Sequence, residues 1–305
     1  AFGRYGKMTG FSGLVKRDTK LFFKDKGIFF TSLITPLILL VLYATFLGKV
    51  YYDSFSSVLP QQLKVSDKLI KATAAGEMFS SLLAVSCITV SFCCNMLMVQ
   101  DKVTGARRDL TVSPVKKSVL ALAYYFSTLI STLIICYIAM GACLIYVANV
   151  GWYMSAADIA LTALDVFLLS LFGTALSSLI NFFLTSQGQI SAVGTIVSSG
   201  YGFICGAYMP LASFSEGLRN VILFLPGTYG TSLIRNHTLH GVFKEMESIG
   251  FPEDIMTKIR DSVDCNLYFF GNKVSTGAMY SIVIGTVAVL IAAYILINIY
   301  VKRDN

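Results

Sequence analysis

The chain has 305 residues, 55% of them hydrophobic and 13% charged, with a mean hydropathy of +0.69. Soluble domains carry about 25% charged residues, so this composition leaves too little polar surface to cover a water-soluble globule. The net charge of +7 comes without a basic stripe interleaved with aromatics, which points to a positive-inside bias and anionic lipid head groups, not to nucleic acid.

Several stretches exceed the roughly 18 apolar residues needed to cross a bilayer. Lipid offers the backbone no hydrogen-bond partners, so such stretches must be helices or closed barrel strands. They are too long and too continuously apolar for barrel strands, which alternate over about ten residues. The expectation is an all-α membrane protein, a single transmembrane domain over residues 1–305.

Residues 1–26 carry seven Lys/Arg. Phe11, Leu14, Asp18, Leu21 and Phe22 share one side of a helix, and Lys16, Lys20 and Lys24 repeat at i+4 on another. This pattern suits a helix lying in the membrane interface. No short apolar core with a small-residue cleavage site precedes the first span, so no cleavable signal peptide is expected. Span one is predicted from about Ile28 to Leu47, with Pro36 as a kink. Residues 48–77 read as a polar loop, and span two as Phe79–Val99. The loop 100–118 is polar and basic. Span three is expected over Val119–Ala148, followed by a turn with interface anchors Trp152 and Tyr153. Span four is expected over Ala157–Leu184, and span five over Ile190–Met209, stopped by Pro210. Residues 211–275 read as mostly polar. Within them Val221–Leu225, closed by Pro226 and Gly227, is too short to span and is expected to be re-entrant or interfacial. Span six is Thr276–Tyr300.

Six spans put both termini on one side. The N-terminal segment, the 100–118 loop and the C-terminal Lys302 and Arg303 together hold 14 Lys/Arg, against ten on the other face. The positive-inside rule therefore predicts cytoplasmic termini and an external 211–275 segment.

Six of the seven cysteines (Cys87, Cys93, Cys94, Cys136, Cys143 and Cys205) lie in apolar runs, and Cys265 lies in the polar segment. No CxxC pair occurs, so neither a disulfide framework nor a metal site is indicated. His237 and His240 stand at i, i+3, and zinc there would need further ligands, the nearest being Glu245 and Glu247. No P-loop occurs: Gly6-Lys7 and Gly48-Lys49 lack the upstream glycine and the following Ser/Thr. The absence of obvious internal repeats weighs against an inverted-repeat secondary transporter.

The 100–118 loop is the most informative segment. Val103, Ala106 and Leu110 recur at i, i+3, i+7 and would form one apolar side of a short helix, with Arg107, Arg108 and Asp109 presented elsewhere. Gly105 allows close backbone approach, and Pro114 ends the helix. From these residues alone the loop is either a motor-coupling element or an ordinary intracellular loop.

In its motifs the sequence resembles the ABC-2 type permeases, the membrane subunits of type V ABC exporters. The loop carries Asp101, Gly105, Leu110 and Ser113-Pro114 in the family's order. Thr35–Leu40 leads to Phe46–Gly48 in span one. Gly206–Pro210, Leu218–Asn220 and Leu225–Tyr229 follow span five. The segment 230–275 is longer than in compact members. The resemblance implies an N-terminal interfacial helix, six spans, a cytoplasmic coupling helix at 100–113 and a re-entrant external helix before the last span. It also implies a permease dimer in the plasma membrane, homo- or heteromeric, with two copies of a separate ABC ATPase. ATP and Mg would be bound by that partner, with no cofactor and no catalysis in this chain. Spans one, two and five would line the route.

Candidate residues follow. Asp101, Gly105, Arg107, Arg108, Asp109 and Leu110 would couple to the ATPase; alternatively Arg107 and Arg108 grip lipid phosphate. Asp165 is the carboxylate well inside a span, costly there and so either a cation site or a structural hydrogen-bonding group. Glu77 stands at the mouth of span two. Tyr201, Phe203, Tyr208 and Met209 are candidate lining residues. Gly202 and Gly206 are spaced for close helix approach at an interface. The functional reading is an exporter of an amphiphilic small molecule, drug or peptide, as in multidrug efflux. The alternatives are a lipid-linked polysaccharide or teichoic-acid-type exporter, and a non-transport membrane sensor or scaffold.

Overall fold

The computed structural model describes residues 2–49, 52–53, 65–112 and 115–300, nearly all of them helical. Ser113 and Pro114, most of the loop before residue 65, and the terminal residues 301–305 lie outside this description, as do the side chains of Arg4 and Lys7. Helix α1 spans Phe2–Lys24 and α2 spans Lys26–Leu42. Between them Asp25 caps α2, its carboxylate accepting from the Ile28 N–H at 3.1 Å. The two helices meet at 74°. Helix α2 runs through Pro36 and continues into a π-helical turn, Tyr43–Leu47.

Helix α3 covers Asp67–Cys94, and α4 follows at Met96–Val103. The helix thus begins ten residues or more before the expected Phe79. The reason is local: Ser66 accepts from the Leu69 N–H at 3.2 Å as an N-cap, and Asp67 sits in the first turn. Helix α5 is Ala106–Val112, α6 is Lys117–Val150 and α7 is Ala156–Phe183. Capping boxes start α7 (Ser155 with Asp158) and α8, Gln187–Ile204 (Ser186 with Gln189). A 3-10 turn (Leu211–Ser213) precedes α9, Glu216–Ile222; α10 is Pro226–Ser248 and α11 is Glu253–Ser262. A two-residue hairpin, β1 (Tyr268–Phe269) with β2 (Asn272–Lys273), leads to α12, Thr276–Tyr300.

Helix α3 is the axis of the bundle, packed by α2, α6, α7, α8 and α10. Its most apolar 18-residue window is 94% buried. Small residues on it (Ala72, Ala74, Ala75, Gly76, Ser80, Ala84, Ser86) let neighbours come close. The main core joins Phe79, Leu83 and Ile88 to Leu169, Leu233 and Val283. By contrast, α12 has only 22% of its window buried and turns most of its apolar surface outward.

Among the described residues, four continuous helices are long and apolar enough to cross a bilayer: α3 with α4, α6, α7 and α12. The bent α1–α2 pair makes five if it counts as one span. The expectation of six is not met on this measure. The shortfall is α8, whose 18 residues include two glutamines and four glycines. It also stops at Ile204, short of Pro210, because Gly206 takes φ +74, a left-handed conformation that glycine adopts without steric cost.

The segment 211–275 differs most from its reading as a mainly polar stretch. Its helix α10 lies against α3, α7 and α12 and buries Leu233, Ile234 and Leu239. Hydropathy hid it because the same helix also buries Thr228, Thr231, Ser232, Arg235 and Thr238.

Candidate functional site

The coupling segment is built on α4. Asn95, at the α3–α4 junction, donates to Ser177 and Ser178 Oγ on α7 at 3.0 and 2.9 Å. Asp101 is 5% exposed. Its carboxylate accepts from Tyr124 Oη at 2.7 Å and from Arg17 Nη1 at 2.9 Å, and Arg17 also reaches Asp18 at 2.6 Å. Asp101 therefore ties α4 to α1 and α6 and is not a free surface carboxylate. The adjacent Lys102 sends its Nζ to the carbonyls of Asn181, Phe182 and Leu184 at 2.8, 2.8 and 3.1 Å. Those are the orphan acceptors and the negative dipole end of α7.

Gly105, at φ +83, breaks the path after Thr104. A side chain there would be strained by about 1–2 kcal/mol. The break corrects the single helix expected at 100–113: Val103 ends α4, while Ala106 and Leu110 belong to α5. On α5, Leu110 packs toward Leu120 and Tyr124. Arg107 is half-buried, and its Nη1 is enclosed without a hydrogen-bond partner among the described residues. Arg108 and Asp109 are exposed.

Midway along α3, Arg235 is the hub. It is 1% exposed and donates to Ser80 and Ser81 Oγ (3.3 and 3.1 Å), the Val263 and Gly206 carbonyls (2.9 and 3.0 Å) and Asp264 Oδ2 (3.3 Å). Both Asp264 oxygens also accept the Leu211 N–H. Burial pushes the Asp264 carboxyl up from 3.8 to about 6, with Arg235 pulling the other way. Glu77, one turn before Ser80, is 6% exposed, so it lies inside the packing and not at an open mouth.

Asp165 is buried at 2% exposure. It holds His237 Nδ1 at 2.5 Å and accepts from Tyr280 Oη at 2.6 Å. Seven residues earlier, Asp158 pairs with His240 Nδ1 at 2.7 Å. Both histidines of the chain thus grip α7 carboxylates from α10. The possible zinc ligand Glu247 instead pairs with Arg260 at 2.6 Å.

The aromatic candidates cluster where α8 ends. Phe203 and Tyr208 meet edge-on at 5.1 Å between ring centres, Phe203 and Met209 are exposed, and Tyr201 and Tyr208 are half-buried. A Cβ on Gly202 would come within 2.2 Å of the Tyr208 ring, so Gly202 makes room for Tyr208 within this chain. The sequence reading missed Arg17, Lys102, Tyr124, Arg235, Asp264 and the partner roles of both histidines. Arg235 alone carried a visible signal, as the one cation in the otherwise uncharged run 226–243.

A helical bundle with four helices long and apolar enough to cross a bilayer defines the class of protein as a membrane protein. The family model for the ABC-2 type transporter matches residues 9–238. The chain belongs to that family and is its permease component, which normally works with ABC ATPase subunits. No curated protein matches it.

Proposed function

We propose that the chain is one permease of an ATP-driven exporter, acting as a dimer with two separate ATPase subunits that bind ATP and Mg. It would sit in the plasma membrane with both termini cytoplasmic and carry an amphiphilic small molecule, drug or peptide outward. The observation that carries this reading is the α4–α5 unit. A motor can drive a bundle only through a protrusion that is firmly rooted and has a contact surface. Asp101 and Lys102 supply the root, and Arg108 and Asp109 face outward one turn beyond the Gly105 break. The orientation rests on the excess of Lys/Arg at this end. The test is reconstitution in lipid nanodiscs with a candidate ATPase. Hydrolysis stimulated by the permease, with cargo moved in inside-out vesicles, is the expected result. If the chain neither binds an ATPase nor alters its hydrolysis, the transporter reading fails.

A further inference from the structure

Between α9, α11 and the hairpin lies a cavity of about 570 Å³, within the usual size range of small-molecule sites. It lies apart from the α4–α5 unit and from the α8 aromatics. One wall is α9, which presents Glu216 and Arg219 one turn apart. Neither takes part in an ion pair among the described residues. The facing wall presents Asp261, whose carboxylate is held in place by Asn266 Nδ2 at 2.7 Å and Tyr268 Oη at 3.1 Å. Those donors leave acceptor capacity on both oxygens. Asp264 also lines the space, but its charge is offset by Arg235. Glu216 and Asp261 together carry one negative charge more than Arg219, so the lining is net negative.

The rim is aromatic. Tyr268 is 37% and Phe270 62% exposed. Phe270 sits at φ +46, a costly conformation for a bulky residue. The turn with Gly271 forces it and holds the ring beside the cavity, edge-on to Phe269 at 4.8 Å. An oriented carboxylate in a cavity lined by aromatic rings is the chemistry that recognises an ammonium carried on a flat apolar group.

We propose that this cavity binds a monovalent organic cation of that kind, with its ammonium between Asp261 and Glu216 and its flat part against Tyr268 and Phe270. Arg219 on the same wall can donate to a hydroxyl or carbonyl of the ligand. The site needs no ATPase, so its failure and the failure of the transport reading are separate results.

The experiment is isothermal titration of the full chain in nanodiscs with tryptamine, against its neutral isostere tryptophol and against empty nanodiscs. Tryptamine is expected to bind about tenfold or more tightly than tryptophol, the difference a charge-assisted hydrogen bond makes. Asp261→Asn should remove that preference while thermal melting stays cooperative. Glu216→Gln lies on an exposed wall with no packing role and should weaken tryptamine about threefold or more. Tryptamine uptake no greater than that of empty nanodiscs, or affinities within about twofold of the unmodified chain in both variants, overturns the assignment. In that case Phe224, Phe269 and Phe270 are anchors in the lipid interface and nothing more.

Discussion

Replacing Arg235 by methionine tests what holds α10 to the middle of α3. The substitution keeps apolar volume but deletes donors to two serines, two backbone carbonyls and Asp264. Asp264 stays buried, its side chain 8% exposed, and without its cation. Removing one partner of a buried pair costs about 3–5 kcal/mol, a large share of the 5–15 kcal/mol that typically separates folded from unfolded domains. The double variant Arg235→Met/Asp264→Asn removes the stranded charge as well and should recover about half of the loss. The pH dependence has a definite sign. The folded pKa of Asp264, about 6, lies above its unfolded value of 3.8. The folded state therefore binds more protons between those values, and its cost of burying the charge is relieved as pH falls from about 6 to about 4. Losing Arg235 moves the upper edge of that window higher, so the deficit of Arg235→Met should shrink between pH 7 and pH 5. The assay is thermal or denaturant unfolding in detergent micelles at both pH values. An Arg235→Met variant within about 1 kcal/mol of the unmodified chain, or a double variant no better than the single, would refute the hub argument.

Charge reversal at Arg107 and Arg108 should abolish stimulation of the partner ATPase while melting stays cooperative; normal transport in Arg107→Glu/Arg108→Glu removes both from coupling. Asp165→Asn should destabilise by about 1–3 kcal/mol through the weakened His237 and Tyr280 contacts and should lower export of cationic and neutral cargo equally; a loss confined to cations would make Asp165 a cargo site. Asp101→Asn should loosen α1, seen as faster hydrogen exchange over residues 10–24, with α7 unaffected; unchanged exchange in α1 would mean that its apolar contacts with α6 suffice.

Where the chain is uniformly apolar, sequence and structure agree closely. Span six, Thr276–Tyr300, coincides with α12, and spans three and four lie within two residues of α6 and α7. Disagreement begins where polar residues are buried. The start of α3 mixes Asp67, Lys68, Lys71 and Glu77 with small residues, so a hydropathy window passes it over although Ser66 marks the cap. Helix α10 buries hydroxyls and an arginine on the faces that periodicity expects to be apolar, and only tertiary hydrogen bonds reveal why. The same holds for the candidate site. A carboxylate inside a span marks Asp165 at once, but its partners His237 and Tyr280 lie 72 and 115 residues away. Asp101 reads as a surface residue of a basic loop, and the tyrosine and arginine that enclose it come from other helices. Gly105 is expected from the sequence to allow close backbone approach, but among the described residues nothing lies within 4 Å of the place of a Cβ there; its role is the positive φ at which one expected helix becomes two.

The neighbouring residues Asp101 and Lys102 have a mechanical consequence. Successive residues on a helix point about 100° apart, so these two side chains leave α4 in different directions, one to α1 and α6 and the other to the end of α7. Two tethers at such an angle act like a yoke. Rotation of α4 about its own axis would stretch one of them, whereas displacement along that axis shifts both together. On the coupling role proposed above, a thrust received at α5 would reach α1, α6 and α7 together, although these helices lie far apart in the chain.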